Sequence, residues 1–208
     1  MKDKEKVCLT QSRIIEAATE IFSEKGFDGA RVDEIALRAK VNKAMLYYYF
    51  ESKEKLLEEI VKRYVNESIE LKKSIFKDVD VHDEAQLDIV INKMFHFMEN
   101  KKDILRIILV ESLKSEDRDV PMFDSLLGSF ELKIKGFKDS GMELSKEDEM
   151  GILIDSFFYN AVSWTFFVTL GDRWAKFYGF DKQEVRKKYK EIFLQHRYVY
   201  LRHIQKDK

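Results

Sequence analysis

One stretch limits the fold of this chain more than any other: Val32 to Leu56, VDEIALRAKVNKAMLYYYFESKEKL. Val32, Ile35, Ala36 and Ala39 recur at i, i+3, i+4 and i+7, which draws one apolar stripe along a short helix. Asn42 is placed to cap a second helix, because its side-chain oxygen can accept a backbone N–H of the following turn. That helix spans Lys43 to Phe50, with Leu46 and Phe50 four apart on its inner face. Ser52 caps a third, with Glu54 in the first turn, where the helix dipole favours a negative charge. Two short helices joined this way form a helix-turn-helix, whose second helix can enter a major groove.

The charges suit that use. From Ile35 to Phe50 every charged residue is basic (Arg38, Lys40, Lys43), and Tyr47, Tyr48 and Tyr49 follow. Lysine can meet a phosphate or a guanine edge, and tyrosine offers a hydroxyl to a phosphate or its ring to a thymine methyl. The run AATEIFSEKGFDGARVDEIALRAKVNKAMLYYYFESKEKLL, Ala17 to Leu57, resembles the DNA-binding domain of the TetR family of bacterial transcriptional regulators. The likeness is carried from Ala-Ala-x-x-x-Phe through Leu-Tyr-Tyr-x-Phe-x-Ser-Lys-x-x-Leu, in order. The plainer alternative is a trihelical unit that only packs.

The resemblance implies an all-α fold. Residues 1–52 would form an N-terminal three-helix helix-turn-helix DNA-binding domain, and 53–208 a C-terminal helical bundle for effector binding and dimerisation. It implies a ligand-responsive, sequence-specific regulator, a repressor by the family's common mode. Such a regulator binds a palindromic operator as a homodimer and is released by a small, lipophilic effector. By position, Asn42, Lys43 and Ala44 open the recognition helix and are the candidates to reach base edges, with Tyr47 reaching a base or a phosphate. Tyr48, Tyr49 and Lys53 match phosphate contacts that set register; the alternatives are that Lys53 is a solvated first-turn lysine and that one tyrosine of the three faces the core. Three positions depart from the family pattern. Arg31 stands where a threonine usually caps the second helix and meets a phosphate; arginine reaches a phosphate but cannot cap. Lys40 stands where the turn usually has glycine, at a cost of about 1–2 kcal/mol if the residue is left-handed. Tyr49 replaces a frequent histidine.

Composition limits the partners. The formal net charge is −1, so any nucleic-acid surface must be a local patch. Cys8 is the only cysteine, which excludes an intramolecular disulfide and a cysteine zinc site. MKDKEKVCLT lacks an apolar core segment, so no secretory leader is expected and a cytoplasmic location is.

Along the chain, Met1 to Leu9 reads as a frayed polar tail and Thr10 as the cap of a helix over Gln11–Lys25, with Gly26 at its left-handed end and Phe27 as the apolar contact beyond. Apolar residues from Leu56 to Ile69 keep 3.6 spacing, so one long helix is expected from Lys53 to about Phe76, the element that carries motion in the family. Lys77–His82 is the linker candidate, and Asp83 with Gln86 caps a helix over Glu84–Glu99. Further helices are predicted over Ile104–Leu113, from Pro121 to about Asp139, over Lys146–Leu170 and over Lys182–His203, with a polar loop at Ser115–Asp119. Ser145 with Asp148, and Asp181 with Glu184, are the last two capping pairs. The Lys146–Leu170 segment is apolar nearly all round, so one face should meet the interior and another a second subunit. The uncharged run Ser156–Gly171 is short for a membrane span, and no membrane is expected. The dimer interface is assigned to Lys146–Leu170 and Lys182–His203.

For the effector, the candidates are Met94, Phe95, Met98, Phe123, Phe130, Phe158, Asn160 and Trp164; large apolar residues at helical spacing serve equally as core. Asp155, Ser163 and His96 could add polar contacts. No catalytic residue, cofactor or metal is assigned: phosphate-loop, dinucleotide, zinc-protease and serine-hydrolase motifs are missing, and His196 and His203 lack a third ligand of suitable spacing.

Overall fold

The computed structural model describes residues 2–77, 79, 83–115, 120–139 and 141–206, with side chains between Val7 and Arg197 except at Asp124. The described residues are helical: α1 (Lys2–Gly29), α2 (Val32–Arg38), α3 (Lys43–Phe50), α4 (Lys53–Phe76), α5 (Glu84–Asn100), α6 (Lys102–Lys114), α7 (Pro121–Asp139), α8 (Lys146–Ile154), a π-helical segment (Asp155–Val162), α9 (Ser163–Tyr178) and α10 (Lys182–Lys206). They form two compact units. One runs through Glu67 and takes in Asp103–Ser125; the other holds Ser68–Lys102 and Leu126 onward. The packing boundary runs through α4, whereas the boundary expected from the sequence falls after residue 52.

The first unit is built on α1. Its buried residues Ile14, Ala18, Ile21 and Phe22 meet Ile35 and Ala36 of α2, Leu46 and Phe50 of α3, and Leu56 and Ile60 of α4. Ile107 of α6 closes that core, and Ile104 packs against it. Ser23 Oγ donates to Asp103 Oδ1 at 2.6 Å, and Lys114 pairs with Asp28 at 2.7 Å, so both ends of α6 are tied to α1 or its end. Helix α1 starts at Lys2, which corrects the frayed tail and makes Thr10 a helix-interior residue. No glycine or proline interrupts residues 2–10, so the helix extends into solvent, where Val7 and Leu9 are exposed. Gly26 has φ 75° but ψ 164°: the positive φ is as expected, but the backbone is extended rather than left-handed helical. Phe27 folds back to 5.3 Å from the Phe22 ring.

In the second unit, α5 buries Leu87, Val90, Ile91, Phe95 and Met98 against α9 and α10. The Asp83 side chain accepts from the Ala85 and Gln86 N–H groups, and Ser145 and Asp148 make a reciprocal capping box. Asp181 Oδ1 accepts from the Gln183 and Glu184 N–H groups. The predicted Lys146–Leu170 helix runs on to Tyr178, because Gly171 is a buried helical residue and the stop is left-handed Gly179 (φ 75°, ψ 22°). Within it the π-helical turn coincides with Asn160 Nδ2 donating to the Asp155 carbonyl at 2.7 Å, an i to i+5 bond. Lys146–Tyr178 is long and apolar enough to cross a membrane by length and composition. Much of the apolar surface expected to meet the interior or a second subunit is exposed in the single chain, including Met150, Leu153 and Phe158. Of the linker and loop, residues 78, 80–82 and 116–119 lie outside the described residues, as do the side chains of Val199 and His203.

Candidate nucleic-acid interface and effector region

Helix α3 is held by its two ends and its inner face. Asn42 Oδ1 accepts from Met45 N at 2.7 Å, the cap expected of it. Before it, Lys40 takes φ 56°, and Val41 N bonds back to Ala36 O at 3.0 Å, which makes the turn tight. Leu46 and Phe50 point into the core at 0% and 6% exposure. This register turns Asn42, Lys43, Ala44, Tyr47 and Tyr48 outward, with Tyr48 82% exposed. Tyr49 is the tyrosine that turns inward, packing on the core and meeting the Tyr48 ring edge-on at 5.2 Å.

The cations divide into free-facing and committed ones. Lys43 makes an exposed pair with Asp33 at 2.9 Å, and the hydrogen bond it donates to this carboxylate raises its pKa. An exposed pair of this kind is worth little and yields readily to a phosphate. Arg31 is exposed at the start of α2 and makes no side-chain cap, as arginine must. Arg38 is spent on α1: its two terminal nitrogens straddle Glu24 at 2.9 and 3.2 Å, with Glu20 at 3.3 Å. This fork holds the Glu24 carboxyl below its ordinary pKa. Lys53 is half-buried; its ammonium donates to Phe27 O at 2.8 Å and Ala30 O at 3.3 Å, and lies 4.4 Å from the Phe27 ring. It therefore fastens α4 to the end of α1, a role its sequence neighbours did not suggest. The Arg38 brace had a signal, since Glu20 and Glu24 are four apart on one face of α1.

The effector candidates are scattered. Phe95 and Trp164 are buried with ring centres 5.5 Å apart, inside a cluster completed by Phe167, Tyr189 and Phe193. Met98 is buried beside them on α5, while Met94, Phe130 and Asn160 are half-buried. Phe158 is exposed, and Phe123 is exposed in the other unit. Rings at helical spacing have filled a core here rather than walled a cavity. A cavity of about 410 Å³ lies between α5 and α10, lined by Asp88, Asn92, Phe95, Glu99, Arg186 and Lys190 among others; Phe95 is the single candidate it touches. Polar groups are engaged as well: Ser163 with Tyr189 at 2.9 Å, His96 with Asn100 at 3.1 Å. Asp155 is 2% exposed; its Oδ2 accepts from Arg197 at 2.7 Å, Asn160 at 2.9 Å and Lys133 at 3.1 Å. Among the described residues no group of three acidic, histidine or cysteine side chains could hold a metal ion.

Residues 14–60, which carry all of this helix-turn-helix geometry, match the family described as bacterial regulatory proteins, tetR family. The N-terminal domain belongs to the TetR family. Curated TetR-type relatives agree over the same region. The HTH-type transcriptional repressor NicS of Pseudomonas putida is 51% identical over 47 residues, 23% of this chain and 22% of that protein. The biofilm operon negative regulator IcaR of Staphylococcus aureus is 46% identical over 52 residues, 25% of this chain and 28% of that one. The matched region therefore spans about a quarter of the length of these relatives. Beyond it the likeness is one of fold. FadR of Bacillus halodurans, a fatty acid degradation regulator, superposes with a TM-score of 0.64 at 21% identity over 88% of this chain and 97% of its own. FadR of Bacillus subtilis, solved with stearoyl-CoA, gives 0.62 at 20% identity over the same shares. The TetR-family relatives are transcriptional regulators rather than enzymes.

Proposed function

We propose that the chain is a sequence-specific transcriptional repressor that binds a palindromic operator as a homodimer and is released by a small lipophilic effector. The observation that carries this reading is the outer face of α3. Asn42, Lys43, Ala44, Tyr47 and Tyr48 stand exposed on a helix anchored by Leu46 and Phe50. Lys43 and Tyr47 read base edges with Asn42 and Ala44 at the close approach, and Arg31 and Tyr48 hold phosphates. Lys53 and Tyr49 support the same surface from behind, with Lys53 adding a phosphate contact through the donor left after its two carbonyl bonds.

A single head reads few base pairs. Two heads about one helical turn, roughly 34 Å, apart read a palindrome, so the reading requires a two-fold dimer. The exposed apolar surface of Lys146–Tyr178 together with α10 is the face assigned to it, which gives the most membrane-like helix a soluble explanation. A lipophilic effector is favoured by the structural neighbour solved with stearoyl-CoA. Such a chain works in the cytoplasm.

Selection from a random duplex pool, followed by sequencing, tests the reading. An enriched palindrome weakened by Lys43→Ala and Tyr48→Ala supports it. No enrichment at low salt from protein refolded free of ligand overturns it. A monomeric mass in light scattering removes the dimer.

A further inference from the structure

The body half of α4 and helix α7 approach closely at one point. A Cβ on Gly128 would lie 2.6 Å from Ile69 Cδ1, so glycine lets the isoleucine tip rest on the helix backbone. One residue along α7 and one turn along α4, the Lys72 ammonium donates to Ser129 Oγ at 2.5 Å. That hydroxyl is the partner of Lys72 among the described residues. Burial pulls the lysine down to about 8, and among the described residues no carboxylate offsets it. Lys72 is therefore still mostly a cation at neutral pH, but one whose neighbour is neutral. Part of the side chain stays exposed, so a solute can reach it.

Four residues on from Ser129, on the same face of α7, comes Lys133. Its ammonium donates to Ser156 Oγ at 2.9 Å and to Asp155 Oδ2 at 3.1 Å, with Arg197 on that same oxygen. Burial likewise lowers Lys133 to about 8, with Arg197 adding to the effect and Asp155 opposing it. Ser129, the partner of Lys72, and Lys133 thus stand one helical turn apart along α7, in a region already built to hold carboxylate against cations. Asp155 does this for Lys133 and Arg197. Among the described residues nothing equivalent does it for Lys72.

We infer that Lys72, with Ser129 and Lys133, forms the headgroup site for a lipophilic monocarboxylic acid. The inference deepens the proposed effector reading and rests on it. A carboxylate offers two oxygens, one for the Lys72 ammonium and one for the Ser129 hydroxyl, and its single charge cancels the one that lacks a carboxylate. A dianion would overcompensate it. Because Lys72 is on α4, the acid would act directly on the helix that runs on from the DNA-reading helices.

Calorimetry with decanoate and with methyl decanoate tests this on the intact 208-residue chain. The wild-type protein should bind decanoate about tenfold or more tightly than the ester, and Lys72→Met should abolish that preference. Ser129→Ala should bind decanoate several-fold more weakly than wild type, because one of the two donors to the carboxylate is gone. Equal binding of acid and ester by the wild type overturns the inference, as does binding of neither, or a preference that survives Lys72→Met. If Lys72→Met fails to fold, the Ser129→Ala protein decides: unchanged or tighter acid binding overturns the site. Selection on random duplexes is run on the same samples. Acid preference without an enriched palindrome would sink the regulator reading and keep the site, and the converse would sink the site alone.

Discussion

Lys43 and Lys72 are the same side chain in two environments, and the difference separates the two halves of this protein. Lys43 stands in solvent with Asp33 beside it, so its charge is cheap, screened and available, and its pKa is raised. Lys72 is enclosed between α4 and α7 with a hydroxyl for company, so its charge is costly and its pKa falls to about 8. A DNA-reading surface needs charges of the first kind, because a phosphate must displace whatever they already hold. An effector site needs the second, because only an expensive charge gains much from a ligand's counter-charge. The packing beneath each lysine sets which kind it is.

The largest effect should come from breaking the support beneath Lys43. Leu46 is fully buried under α3, and Leu46→Ala should cost about 2–5 kcal/mol by lost burial plus the cavity left behind. Thermal unfolding should show it, and DNA binding should fail at temperatures where wild type still binds. A melting point within a degree or two of wild type would mean that α3 is not anchored by its inner face.

Next comes Lys72 itself. Its folded pKa lies below the unfolded value, so the folded state binds the proton less well. The resulting cost is present in full below about pH 8 and disappears as pH rises toward the unfolded value of 10.5. Lys72→Met should therefore stabilise the ligand-free protein near pH 7 by about 1–2 kcal/mol. That figure is discounted for the part-exposed side chain and for the Ser129 hydroxyl left unpaired. The gain over wild type should shrink between pH 8 and 10 in urea titrations. Lys133, also near 8, is present in both proteins and cancels in the difference, as do Arg197 and Asp155. A destabilised Lys72→Met protein, or a gain that grows with pH, would contradict the burial cost.

For Lys43 the effect belongs to binding rather than folding. Lys43→Ala should leave thermal stability nearly unchanged and weaken operator binding about tenfold, with relaxed preference at one base position if it reads guanine. If it holds only a phosphate, affinity should fall evenly across sequences and the salt slope should drop by about one. No change in either quantity would remove Lys43 from the interface.

These two regions also differ in how far they can be read from residues alone. Around α3 the signals are local: an apolar stripe, Asn42 three residues before the N–H it caps, Ser52 likewise, and the structure's α3 and α4 begin where those caps place them. In the body the decisive contacts are remote. Lys72 and Ser129 are 57 residues apart, and Asp155 and Arg197 are 42 apart. Nothing in the neighbours of Lys72 distinguishes it from the solvated lysine that follows at Lys73. The aromatic residues suggested an effector pocket because core and pocket draw on the same side chains; rings such as Phe95 and Trp164 met each other instead. The helix expected to close at Leu170 runs on through Gly171, a buried helical position, and ends at Gly179, with its positive φ.

The smallest effect tests the turn that aims Lys43. Lys40 holds φ 56°, a left-handed conformation that costs a residue with a Cβ about 1–2 kcal/mol. Its side chain is exposed, so substitution there removes no packing. Lys40→Gly relieves the strain but enlarges the entropy of the unfolded chain by roughly 0.5–1 kcal/mol, so the net gain should be a few tenths to about 1 kcal/mol. The measurement is again thermal unfolding, paired with operator binding. A small gain in stability with a small loss in affinity would separate the backbone of this turn from its charge: the glycine keeps α3 in place, while the lost ammonium is felt only by DNA. A loss of stability would mean instead that the lysine is preferred at φ 56°, and that the strain assigned to the turn is not there.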